Sequence, residues 1–170
     1  RWAYAFLLAG CDPEHSEKYI GIVYSVLVAA HNLREYGGSE ADILLLVQLS
    51  NEATATQLSG EEERLLKATE IRIHYLPKPK SFTNFYTIQF EKFRILELTQ
   101  YSRVIMMDGD VMPYCSLDYL FELSESGILK ENVILAWKKS PSHGGFFLLR
   151  PNPGDYDKIE AIIRKREQQA

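Results

Sequence analysis

Ile43-Leu44-Leu45-Leu46-Val47 is an unbroken apolar run with no alternation. A strand with one wet face alternates. A strand that is apolar at every position is buried on both faces, the signature of a parallel sheet covered by helices on either side. Tyr4-Ala5-Phe6-Leu7-Leu8 has the same character, with a break expected at Gly10, and so does Val104-Ile105-Met106-Met107. Segments with helical spacing lie between these runs. From Tyr19 to Leu33, Val23, Leu27 and Ala30 fall at i, i+4 and i+7, and Gly37-Gly38 closes the segment. Ser59 to Ala68 opens on a capping box, Ser59 with Glu62 three residues on.

The later elements follow the same rhythm. Ile71 to Leu76 alternates and stops at Pro77. A helix from about Ile88 to Leu98 is expected to turn Phe90, Phe93 and Leu96 inward, and Ser116 to Glu125 a second, carrying Leu117, Leu120, Phe121 and Ser124. Val133 to Trp137 and Gly145 to Leu149 read as strands. Asp155 to about Gln168 is a charged helix with Ile159, Ile162 and Ile163 as its apolar stripe. Strands and helices at these intervals suit βαβ units, hence an α/β fold with an open, mostly parallel sheet.

With 170 residues, 46% hydrophobic and 25% charged, the chain has the composition of one globular domain with its own core. A net charge of -4 leaves no basic footprint for nucleic acid. No window reaches the roughly 18 consecutive apolar residues of a membrane span. Cys11 and Cys115 have no metal-type spacing and are expected as free thiols. Arg1, in place of an initiator Met, is expected of a piece cut from a longer chain, so localisation stays open between Golgi lumen and cytoplasm.

The third apolar run leads into Asp108-Gly109-Asp110, with Pro113 ending the segment. In an open α/β sheet, ligands sit beyond the carboxyl ends of the strands. Side chains at i and i+2 of a strand share one face roughly 6–7 Å apart, so Asp108 and Asp110 are expected to converge on one hard cation. Gly109 is expected to leave room for a ligand's approach. Paired carboxylates repel a bare diphosphate but bind it through a bridging divalent metal, and oxygen ligands favour Mn²⁺ or Mg²⁺ over zinc.

The surrounding residues resemble the glycogenin-type enzymes of glycosyltransferase family 8. The likeness runs from Phe90-Glu91-Lys92 through Leu98-Thr99-Gln100-Tyr101-Ser102-Arg103-Val104 to the acidic triplet, and on through Asp118-Tyr119-Leu120-Phe121. Gly145-Phe146-Phe147-Leu148-Leu149-Arg150-Pro151 is similar to a later strand of that family. The resemblance implies a GT-A type fold, a Rossmann-like mostly parallel sheet flanked by helices, with residues 1–170 as a single, truncated nucleotide-sugar-binding domain. It implies a metal-dependent retaining glycosyltransferase that moves a hexose or pentose from a UDP-sugar to a carbohydrate, protein or lipid hydroxyl, with a homodimer allowed. Asp108 and Asp110 would ligate Mn²⁺ (or Mg²⁺), and Lys92 would contact the nucleotide-sugar. Leu8, Ala9 and Tyr19 would line the uridine pocket, with Tyr19 stacking on the base. Gly109, His143 and Gly144 would face the sugar, His143 standing where the family has Asn. A third metal ligand, a His, would lie beyond residue 170, and no catalytic base is assigned.

Two other readings compete. One is a degenerate module of the same fold that binds without transfer. The other is a haloacid-dehalogenase-type phosphatase, whose Asp-x-Asp carries a covalent nucleophile and a general acid. The phosphatase needs the motif at the start of its fold, whereas here it lies past residue 100. His15, His31 and His74 have no partners at metal spacing and are expected to be structural. Trp137 is expected in the core, and Lys138-Lys139 on a solvated edge.

Overall fold

The computed structural model describes residues 1–79, 89–128, 135–136 and 144–167. Six strands form one sheet in the order β3-β2-β1-β4-β6-β5. They are β1 (Trp2–Cys11), β2 (Asp42–Leu49), β3 (Ile71–Tyr75), β4 (Arg103–Met107), β5 (Leu135–Ala136) and β6 (Phe146–Leu149). Strands β1 to β4 are mutually parallel. β6 runs antiparallel to both β4 and β5, so the sheet is mostly, not wholly, parallel.

Helices cover both faces, which is why the central strands are apolar throughout. On one face Tyr4, Phe6 and Leu8 of β1, Ile43, Leu45 and Val47 of β2, and Ile105 and Met107 of β4 pack under three helices. These are α1 (Ile20–His31, continued by a π turn over Asn32–Tyr36), α2 (Gly60–Ala68) and α3 (Asp118–Glu125), which contribute Val23, Val26, Leu33, Leu66 and Phe121. On the other face Ala3, Ala5, Leu44, Leu46, Val104 and Met106 meet Ile95 and Leu96 of a 3₁₀ helix (Glu91–Glu97) and Tyr156 of α4 (Asp155–Glu167). Each fully buried Leu, Ile or Val contributes roughly 1.5–3 kcal/mol.

The capping box of α2 is formed as expected: Ser59 Oγ accepts from the Glu62 N–H, and Glu62 accepts from the Ser59 N–H. Three expectations need correction. β1 does not break at Gly10 but continues to Cys11 through a bulge, with Gly10 at φ 72°. That left-handed conformation suits glycine. The segment around Lys92 is a 3₁₀ helix, in which residues three apart eclipse. Arg94 bridges Glu91 at 2.7 Å and Glu97 at 3.0 Å, both at that spacing. Its inner row therefore includes Lys92 and Ile95 with Leu96, while Phe90 is 38% exposed and rests on Phe93. In α4 the buried stripe is led by Tyr156, and Ile162 faces solvent. Ile88, Trp137, Lys138, Lys139 and Gln168 lie outside the described residues.

Candidate functional site

β4 ends at Met107, and the next residue carries the first carboxylate of the triplet. The Asp108 N–H donates to Gly145 O at 2.9 Å, and the Val111 N–H returns to Asp108 O at 3.0 Å. The second bond closes a turn over residues 108–111. The strand pleat expected to align Asp108 with Asp110 is therefore replaced by a turn, because β4 has already stopped.

Asp108 keeps 31% of its side chain exposed, while its Oδ1 lies 2.5 Å from the ammonium of Lys92, a side chain only 7% exposed. Lys92 Nζ also donates to Gly144 O at 3.3 Å. The 3₁₀ geometry buries this lysine, and a buried ammonium is costly without a paired anion. Asp108 supplies that anion. The other carboxylate oxygen faces Gly145, where an added Cβ would stand 3.1 Å from Oδ2. Asp110 is exposed, and among the described residues no hydrogen bond or ion pair holds its side chain.

Gly109 serves packing more than ligand approach. A Cβ there would lie 2.7 Å from Ile22 Cγ2, so α1 fills the space that the sequence reading left for a ligand. The turn is then drawn along α1. Asn32 Nδ2 donates to Pro113 O at 3.0 Å, and a Cβ on Gly37 would stand 2.8 Å from Ser116 Cα. At the far end Asp118 accepts from Tyr4 Oη at 2.5 Å and from Ser39 Oγ at 2.7 Å.

No family model matches this chain. It is 27% identical to galactinol synthase 1 of Solanum lycopersicum over 95 residues, 45% of this chain and 30% of that protein. Over 107 residues it is 30% identical to UDP-glucuronate:xylan alpha-glucuronosyltransferase 1 of Arabidopsis thaliana, 61% of this chain and 15% of that protein. The chain is related to the sugar transferases of glycosyltransferase family 8. It spans less than a third of the length of these curated relatives. The crystal structure of the glycosyltransferase GlyE in Streptococcus pneumoniae TIGR4 aligns with 99% of this chain and 40% of its own, at a TM-score of 0.64 and 17% identity. That likeness is one of fold, and the fold is of the GT-A type.

In this family 8 relative, the structure brings together Lys92, Asp108 and Gly144, residues distant in sequence. The nucleoside-side residues are placed differently. Leu8 is 1% exposed and belongs to the core, while Ala9 is half-buried at the bulge of β1. Tyr19 is 5% exposed, and its hydroxyl donates to Glu62 Oε2 at 3.0 Å. Burial, then the Glu62 carboxylate, holds that phenol well above the ordinary tyrosine range. Stacking a base on Tyr19 requires uncovering its ring. His143 lies outside the described residues.

Sequence reasoning missed Ile22, Gly145 and the second role of Glu62. The capping box marked Glu62, but nothing local pointed to Tyr19. The Gly144-Gly145 pair was the one signal for the close approach at Asp108. Cys11 and Cys115 are free, and burial pushes the Cys11 thiol up to about 12. His15 pairs with Asp12 at 2.9 Å and His31 packs edge-on to Tyr36, both structural contacts.

Proposed function

We propose that residues 1–170 form a single nucleotide-sugar-binding domain of a retaining glycosyltransferase, which passes a hexose or pentose from a UDP-sugar to a hydroxyl acceptor. The observation that carries this reading is the pairing of Lys92 with Asp108 beside Gly144 and an exposed Asp110 with no side-chain partner among the described residues, at the carboxyl edge of the parallel strands. Kinship with family 8 transferases supports it.

The donor set suits a hard divalent cation: two carboxylates, one half-exposed and one exposed, with no histidine or cysteine beside them among the described residues. Among the described residues no third His, Cys, Asp or Glu joins them, so the remaining positions would fall to diphosphate oxygens, water or residues elsewhere. Asp108 and Asp110 would hold Mn²⁺ or Mg²⁺, which would supply charge neutralisation for a departing diphosphate. Lys92 would donate to the same diphosphate. Ala9 at the bulge of β1 and, once its ring is uncovered, Tyr19 would frame the nucleoside, with His143 and Gly144 toward the sugar, while Leu8 and Gly109 would support these positions from the packed side. In the transfer, the bond from the anomeric carbon to the diphosphate oxygen breaks and its electron pair leaves with UDP. The acceptor oxygen bonds that carbon on the same face and gives up its proton to the departing diphosphate oxygen.

Thermal unfolding with UDP, with and without Mn²⁺, tests the donor site. Stabilisation by UDP that needs Mn²⁺ and disappears in Asp110→Ala is expected. Unchanged UDP affinity in that variant sinks the metal assignment. Release of UDP from a panel of UDP-sugars in the presence of acceptors then separates a transferase from a module that only binds.

A further inference from the structure

We propose that Lys92 is the resident counter-ion of Asp108, and that it yields this carboxylate to a divalent cation when a diphosphate arrives to accept the lysine in exchange. The inference rests on the donor site proposed above and adds to it a coupling between metal and nucleotide.

The geometry is specific. Lys92 Nζ lies 2.5 Å from Asp108 Oδ1, and the residue as a whole is 6% exposed. A small divalent cation takes a carboxylate oxygen at roughly 2.0–2.1 Å, on the same lone pairs. The second oxygen faces Gly145, where a Cβ would stand 3.1 Å from Oδ2 and its absence leaves room, so a cation that enters there shares the carboxylate with the ammonium on the first oxygen. The carboxylate thus carries an ammonium on one oxygen and has an open, glycine-lined side at the other.

A cation that approaches Asp108 alone meets a like charge already bonded there. Displacing Lys92 would strand a buried ammonium, whose other bond among the described residues is to Gly144 O at 3.3 Å. Buried charges without partners are strongly disfavoured. A diphosphate relieves both difficulties. It carries acceptor oxygens for Nζ, ligands for the metal and the negative charge that two adjacent cations require. Metal alone therefore binds weakly, nucleotide alone binds weakly, and each strengthens the other by the same factor. Asp110 lies outside this competition, because no ammonium holds it among the described residues.

The test is Mn²⁺ binding, read from the electron paramagnetic resonance of the free ion, with and without UDP. Wild type is compared with Lys92→Met and Lys92→Gln, so that a folding failure in one still leaves the other, and thermal unfolding checks both. Without nucleotide, the variants are expected to bind Mn²⁺ about 10-fold more tightly than wild type, and the factor by which UDP strengthens Mn²⁺ binding is expected to shrink by about 10-fold. Equal or weaker Mn²⁺ binding in the folded variants without UDP overturns the counter-ion role, while joint binding of Mn²⁺ and UDP by wild type leaves the donor-site reading standing. Absence of joint binding by wild type overturns both.

Discussion

At the amino-terminal ends of the parallel strands, carboxylates are saturated. Asp42 accepts from Tyr101 Oη at 2.8 Å and pairs with Arg1 at 2.6 Å and Arg72 at 3.3 Å. Asp118 accepts from Tyr4 and Ser39, while the Leu117 N–H donates to Tyr4 Oη at 3.0 Å. At the carboxyl-terminal ends, among the described residues, Asp108 has a single lysine and Asp110 has no side-chain partner. The same residue type thus ties elements together at one edge and keeps spare lone pairs at the other. Spare lone pairs on a partly exposed carboxylate contribute little to folding and are what a cation needs.

Substitutions should separate the two edges. The largest effect is expected for Asp110→Ala, which should lower Mn²⁺-dependent UDP affinity on the order of 100-fold, about 2.7 kcal/mol, with the urea midpoint unchanged. Calorimetric titration reads the first quantity and equilibrium unfolding the second. Asp118→Ala should do the reverse. It strands the Tyr4 and Ser39 hydroxyls and should cost about 2 kcal/mol of stability, while a folded fraction still binds Mn²⁺ and UDP. Asp42→Asn should cost less, about 1 kcal/mol, because Arg1 and Arg72 are each half-exposed and can turn to water. A comparable loss of nucleotide affinity in Asp42→Asn would erase the distinction between the edges.

Alkaline pH probes the saturated edge more gently. Burial, followed by the Asp118 carboxylate, raises the Tyr4 phenol, and burial with Asp42 raises Tyr101, both from an ordinary 10.0. A group whose folded pKa is raised stabilises the fold below its unfolded value and loses that contribution as pH climbs toward the folded one. Stability is expected to hold up to about pH 9 and to fall beyond pH 10. Absorbance at 295 nm should show these phenols ionising only as the chain unfolds. Early, reversible ionisation of all the tyrosines would contradict the network.

What could be read from the residues, and what could not, follows the same division. Ile43 to Val47 disclosed a strand buried on both faces because burial acts on every side chain of such a strand, and that pattern is local. Ser59 with Glu62 disclosed a helix start for the same reason. The triplet and Lys92 stood out through family likeness, but their mutual contact did not. It depends on a 3₁₀ helix that turns Lys92 inward, and on β6 running antiparallel so that Gly144 and Gly145 reach Asp108. Neither is written in a periodicity: Phe90, Phe93 and Leu96 also recur at three, and only packing on β4 and β1 decides which row faces the sheet. Ile22 escaped notice because a helix residue against a glycine leaves a mark in neither segment alone.

The antiparallel pairing of β6 with β4 has a further consequence. The chain departs from the turn at Asp108 and comes back at Gly145, and the bond from the Asp108 N–H to Gly145 O fastens departure to return. Whatever length or chemistry the intervening excursion carries, its two ends are pinned to one spot beside the acidic turn. Between those ends α3 carries Phe121 into the core and Asp118 to Tyr4 and Ser39, so the acidic turn is clamped twice, once by the backbone of β6 and once by the helix that follows it.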